Sequence, residues 1–191
     1  QLAQERSSDK RRELLRDMSE LFLDSEDIRA DESARGVADD ILTTLAKEME
    51  ENVRAELAEQ FADHPDAPAD LVNDLAKDVI EVARPLLERS RVVRQETLEE
   101  TVRLHGASHA RVVAARDDVG EAVSQAIAET HDDEALVQLA RNDNAQLSRM
   151  AMEHLVDHAE TCEGLHEPIV DRDVSQGIKG YLERMRKSLK K

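Results

Sequence analysis

Apolar residues recur along this chain at steps of three and four, the period of helices that bury one stripe. Over 9–23, "DKRRELLRDMSELFL" sets Leu14, Leu15, Met18, Leu21 and Phe22 on one face with charge opposite, which predicts an amphipathic helix. Residues 1–8 read as a frayed start, and "DSEDIRADES" ends the helix. A second, long helix is expected from Glu32 to about Ala62, because Val37, Ile41, Leu45, Met49, Val53, Leu57 and Phe61 recur every four residues. Each such step turns about 40°, so the row swings through about 240°. No single seam follows that swing. The helix is expected either to meet different neighbours at its two ends or to bend near "EMEEN".

"DHPDAPAD" at 63–70 breaks the pattern with two prolines and several carboxylates. Beyond it the apolar stretches shorten and begin to repeat. "DLVNDLAKDVIEVARPLLE" at 70–88 reads as helix, polar break, helix, and "HARVVAARDDVGEAVSQAIAE" at 109–129 follows the same plan. So does "EALVQLARNDNAQLSRMAMEHL" at 134–155, and a degenerate fourth copy begins at "HEPIVDRDVSQ". The shared cores "LAKD", "AARD" and "LARN" start 39 and 25 residues apart, the longer gap holding an extra helix, "QETLEETVRL", at 95–104. The Asp or Asn ending each core is expected to cap the next helix.

A short helix with one apolar stripe is unstable alone, and stacked helix pairs bury such stripes against one another. The fold class expected is therefore all-α. It comprises an N-terminal helical hairpin with a long second helix over 9–62, then helix pairs over 68–175 stacked as a HEAT-like solenoid. Pro85, inside a helix, removes a hydrogen bond and fits the kinks of curved repeats. A basic amphipathic tail closes the chain over 176–191: from Ile178 onward there are six basic residues and one acid. It is expected to touch the protein itself or a partner rather than a membrane.

Composition narrows this picture. One Tyr, two Phe and no Trp leave no platform for stacking bases, and six Gly with four Pro are too few for a protein of many tight turns. A net charge of −17 repels a phosphate backbone, so nucleic acid is excluded as a partner of the body of the protein. One cysteine forbids an internal disulfide and fits a reducing cytoplasm. No apolar run approaches a membrane span, no secretory signal opens the chain, and its first residue, Gln rather than Met, reads as a trimmed start.

"RRELLRDMSELFL" at 11–23, "LAKDVIEVARPLLERSRVV" at 75–93 and "LARNDNAQLS" at 139–148 carry a resemblance. They are similar to an alphaproteobacterial family, domain of unknown function 2336, from about residue 11 to residue 172. The resemblance rests on diffuse Leu, Ala, Arg and Asp patterns and brings no catalytic motif. It implies a bacterial, cytoplasmic helical-repeat protein of HEAT-like character.

Candidate chemistry is sparse. "EHLVDHAETCEGLHEP" spaces His154, His158, Cys162 and His166 four apart. An i, i+4 His pair can chelate zinc, but on one straight helix His154 and His166 would lie about 18 Å apart. The pair sits at the margin of the stripe formed by Met152, Leu155, Val156 and Ala159, and no HExxH is present. Gly164 reads as a helix C-cap signal, and Cys162 as a small, partly buried residue. In "ETHDDEAL", His131 and Asp132 suggest a metal-dependent hydrolase with His105, His109 and Asp143 as further ligands; the same residues read more simply as a helix start capped by Asp132 or Asp133. "RLHGASHARVV" raises histidine phosphotransfer, but Gly106 and Ser108 more simply end one helix and cap the next. No catalytic, cofactor or metal residue is assigned and no cofactor is expected. The function expected is a non-enzymatic adaptor for another protein bearing a basic segment, with a homodimer through the N-terminal helices as a further expectation.

Overall fold

The computed structural model describes residues 2–176, and among them every regular element is helical. The basic tail expected over 176–191 lies, beyond Gln176, outside the described residues. The chain divides into two compact units, Gln1–Thr97 and Leu98–Lys191, and the proline-rich break at 63–70 falls inside the first.

In the first unit, α1 (Leu2–Asp24) reaches back through the start expected to fray. Its buried face is narrower than the sequence implies. Leu15, Ser19 and Phe22 are buried, whereas Leu14 and Leu21 are about half exposed. Ser25 caps α2 (Glu26–Ala30) through Ile28 N–H, and Asp31 caps α3 (Glu32–Ala46) through Ala34 N–H at 2.8 Å. The long second helix is not continuous. It ends at Ala46, and α4 (Glu51–Phe61) starts after a turn over 47–50.

Two facts account for that break. The buried row of α3 is Ala38, Asp39, Leu42 and Ala46, not the four-step row, whose Val37 and Ile41 are 57% and 38% exposed. The turn also has a polar partner: Arg54 Nη1 donates to the carbonyl of Met49 at 2.7 Å, while Nε and Nη2 hold Asp78 at 2.5 and 3.0 Å. Breaking the helix gives each half its own neighbour. α3 packs on α5 (Ala69–Leu75), and α4 packs on α6 (Ile80–Arg89), which runs on through a buried Pro85. Phe22 and Phe61 meet edge to face at the bottom of this core, centroids 6.0 Å apart. A groove between α1 and α4 has buried Leu15, Val53 and Leu57 beneath exposed Glu13, Glu20 and Glu56, with Arg12 and Arg16 also lining it.

α5 is too short to stand alone, and its N-cap residue, Pro68, offers no side-chain acceptor. Buried Asp39 of α3 supplies it instead, accepting from Asp70 N–H and Leu71 N–H at 2.9 Å each. Buried Asn73 holds the far side, donating to the carbonyls of Ala69 and Val92 and accepting from Arg94 N–H.

From α7 (Gln95–His105), where the extra helix was expected, the chain enters the second unit. There α8 (Ala107–Val113), α9 (Glu121–Ala128), α10 (Asp133–Arg141) and α11 (Arg149–His158) follow in turn. A 3-10 turn (Glu163–Leu165) leads into α12 (His166–Gln176). Packing skips one element: α8 lies on α10, α10 on α12, and α9 on α11. Ala128, Leu136, Met152, Leu155, Leu165 and Ile169 form the core that results.

The residues ending the three repeat cores do not cap the next helix. α6 and α9 have no side-chain cap, and α11 is capped by Ser148. Asn142 reaches backward instead, giving both amide hydrogens to the preceding pair, at the carbonyls of Ala114 (2.8 Å) and Arg116 (2.6 Å). Ser124 and Val119 make similar ties to Gln146. Ser108 caps nothing either: Gly106, at φ +65°, precedes α8, and Ser108 lies within it. Gly164 is no C-cap, since α11 ends at His158 with Ala159 as its C-cap; a Cβ at 164 would stand 3.2 Å from Val137 Cγ2.

Removing either connector, buried Asp39 or half-buried Asn142, is expected to be costly. Asp39→Ala should lower unfolding free energy by about 2–3 kcal/mol and Asn142→Ala by about 1–3 kcal/mol, because each strands two backbone groups. Urea denaturation followed by circular dichroism measures both losses, and unchanged midpoints would contradict the assignment.

Candidate functional site

The polar side chains with most chemical potential gather where α9 ends and α10 begins. Thr130 Oγ1 donates to the carbonyl of Ile127, and His131 follows with φ +53°. Asp132 then caps α10, accepting from Ala135 N–H at 3.0 Å. It also takes two hydrogen bonds from the Arg111 guanidinium, both 2.8 Å, and Arg111 reaches on to Glu134 at 2.6 Å. These bonds from Arg111, with the Ala135 amide, hold the Asp132 carboxyl below its ordinary value against the opposing effect of burial. Glu129 is likewise held down, first by Gln125 and then by Arg103, which also bridges to Glu99.

Histidines surround this turn. The His131 ring lies 5.8 Å from His154 and 6.0 Å from His158, centroid to centroid, and His158 Nε2 is 2.6 Å from Asp133 Oδ1. His105 and His109 stack at 4.2 Å; His109 is buried, with Nδ1 3.0 Å from Ser108 Oγ.

The structure thus regroups the residues singled out in the sequence. His154 and His158 stay together at the half-buried edge of α11. Cys162 packs against the apolar core, and His166, at the start of α12, bonds the carbonyl of Ala159 at 2.8 Å. The hydrolase set is dispersed by function: Asp132 is engaged by Arg111 and the helix end, and His105 and His109 stack on each other. Among the described residues no group of three or more His, Cys, Asp or Glu is arranged to hold a metal ion. A buried phospho-acceptor would also be ill placed, since His109 is 1% exposed. Sequence reasoning missed the meeting of His131 with the α11 pair. Spacing along the chain carries no signal for it, because it depends on the packing of α11 on α9.

These features define a protein of short packed helices, all-helical among the described residues, in which no helix is long and apolar enough to cross a membrane. The chain belongs to the bacterial family described as "uncharacterised protein conserved in bacteria", domain of unknown function 2336, whose model matches residues 82–177. The match takes in α7 to α12 and most of α6; residues 11–81 lie outside it. No curated protein and no solved structure matches the chain.

The ion pairs give a pH dependence of definite sign. Asp132 and Glu129 have folded-state values below their ordinary 3.8 and 4.5. Their contribution is complete above those ordinary values and is lost as pH falls through the depressed ones. Thermal melting of the wild type should therefore fall on the acid side, and Arg111→Ala should make that fall shallower while lowering stability at neutral pH. Equal acid sensitivity in both proteins would count against the Arg111–Asp132 pairing.

Proposed function

We propose that this chain is a non-enzymatic helical-repeat module, stacked as a HEAT-like solenoid, that binds another protein in a bacterial cytoplasm. The observation that carries the reading is alternate-element packing: α3 on α5 and α4 on α6 in one unit, α8 on α10 and α9 on α11 in the other. Helix pairs stacked this way bury their stripes internally and leave long outer faces for recognition. The partner segment is basic and amphipathic. Its chemistry follows from the net charge of −17 and from the α1–α4 groove, where Glu13, Glu20 and Glu56 flank an apolar floor.

Cross-linking in a bacterial lysate, with the linked residues mapped, tests this. The expected result is a partner linked beside the groove and released by the triple reversal Glu13→Lys, Glu20→Lys, Glu56→Lys. A catch unaffected by the reversal would refute the basic-segment reading.

A second copy of the chain is a further partner in this proposal. Leu14 and Leu21 on α1 are 48% and 50% exposed, and α3, packed on α1, exposes Val37 and Ile41. Light scattering coupled to size exclusion should report a dimer that Leu14→Glu with Leu21→Glu converts to a monomer. A wild type that is monomeric at high concentration would remove this part of the proposal.

A further inference from the structure

The packing order of the second unit is regular. Each helix from α10 onward lies on the helix two places before it: α10 on α8, α11 on α9, α12 on α10. In such an order an interior helix has a neighbour on two sides, one earlier and one later in the chain. α11 and α12 come last, so among the described residues no later helix covers them.

The open side of α11 has a definite character. Met150, Glu153 and Asp157 stand at i, i+3 and i+7, opposite buried Leu155 and Ala159. Met150 and Asp157 are exposed and Glu153 is half-buried, and exposed Glu160 follows in the next turn. From 149 to 171 the chain carries six carboxylates against one Lys or Arg, Arg149, which pairs with Glu153 at 2.9 Å. This end of the stack is acidic and has an uncovered apolar side chain at Met150.

The sequence beyond Gln176 is its complement. Residues 178–191 hold six basic side chains and one acid. Gly177 and Gly180 break helical sequence, and from Tyr181 onward Leu182, Met185 and Leu189 fall within an arc of about 60° on a helical wheel. Arg186 and Lys190 flank that stripe, whereas Arg184, Lys187 and Lys191 lie on the far side. As a helix, 181–191 would span about 17 Å, enough to lie along the ten residues of α11.

We propose that residues 181–191 are the next layer of the stack, a helix docked on the open side of α11 as α11 is docked on α9. Leu182, Met185 and Leu189 cover Met150, and Arg186 and Lys190 pair with Asp157 and Glu160. Arg184, Lys187 and Lys191 face solvent, which gives the layer the polar outer surface of a terminal cap. The cap closes the end of the stack against a second copy. The inference rests on packing within one unit and not on the partner-binding reading, and its assay contains no second protein.

Hydrogen–deuterium exchange of the full chain, read by mass spectrometry, is the test. Amides of 181–191 should exchange about tenfold or more slowly than in a free peptide of the same sequence, at a rate unchanged by dilution. Leu182→Asp with Met185→Asp should return them to the peptide rate and quicken exchange in α11. Protection of α8 to α10 should persist, which reports that the rest is folded. Asp157→Lys with Glu160→Lys should also release the segment, and adding Arg186→Glu with Lys190→Glu should restore its protection. Peptide-like exchange in the wild type, protection lost on dilution, indifference to the reversal at 157 and 160, or a reversal that the second change does not rescue would each overturn the proposal.

Discussion

The fold depends on how its many helix ends are satisfied. A helix of seven to eleven residues leaves most of its terminal amides and carbonyls without an internal partner. In this chain several of those groups are met by side chains from a neighbouring element: buried Asp39 for the start of α5, buried Asn73 for the segment before α7, half-buried Asn142 for the end of α8. Without them the short helices would bury unpaired polar backbone, and the apolar stripes could not close together. Exposed ion pairs such as Arg12–Glu50 contribute little by comparison, since water screens both partners.

This dependence explains what was legible in the sequence and what was not. Helix existence was legible, because periodic Leu, Val and Ala report burial directly, and helix pairs appear at 70–88, 109–129 and 134–155 as expected. The bend expected near "EMEEN" is a full break over 47–50, because a four-step apolar row survives a break between two helices that bury different rows. Val37 and Ile41 extend that row yet face outward, while the acid Asp39 faces in. Nothing local marks Asp39 as buried; besides Thr43, the amides it caps lie 31 and 32 residues away. The Asx residues of the repeat cores were misassigned for a related reason. Their chemistry suits a cap, but Asp78 holds Arg54, Asp117 meets Asn144, and Asn142 satisfies carbonyls after α8.

The candidate site shows the same limit. The i, i+4 spacing of His154 and His158 was visible, and so was Asp132 as a cap, borne out by its bond from Ala135 N–H. The approach of His131 required the stacking of α11 on α9, which spacing within one helix cannot reveal. Two histidine groups thus emerge from a list of seven, one stacked and partly buried, the other at the surface beside paired carboxylates.

The backward reach of Asn142 has a consequence for how such a sequence is free to change. Its two bonds end on main-chain carbonyls, which every amino acid carries, so the pairing does not depend on which side chains stand at 114 and 116. A substitution on the outer surface of one pair leaves the grip of the next intact. Surface side chains can then drift, invert their charge or be exchanged while this tie between helices is kept.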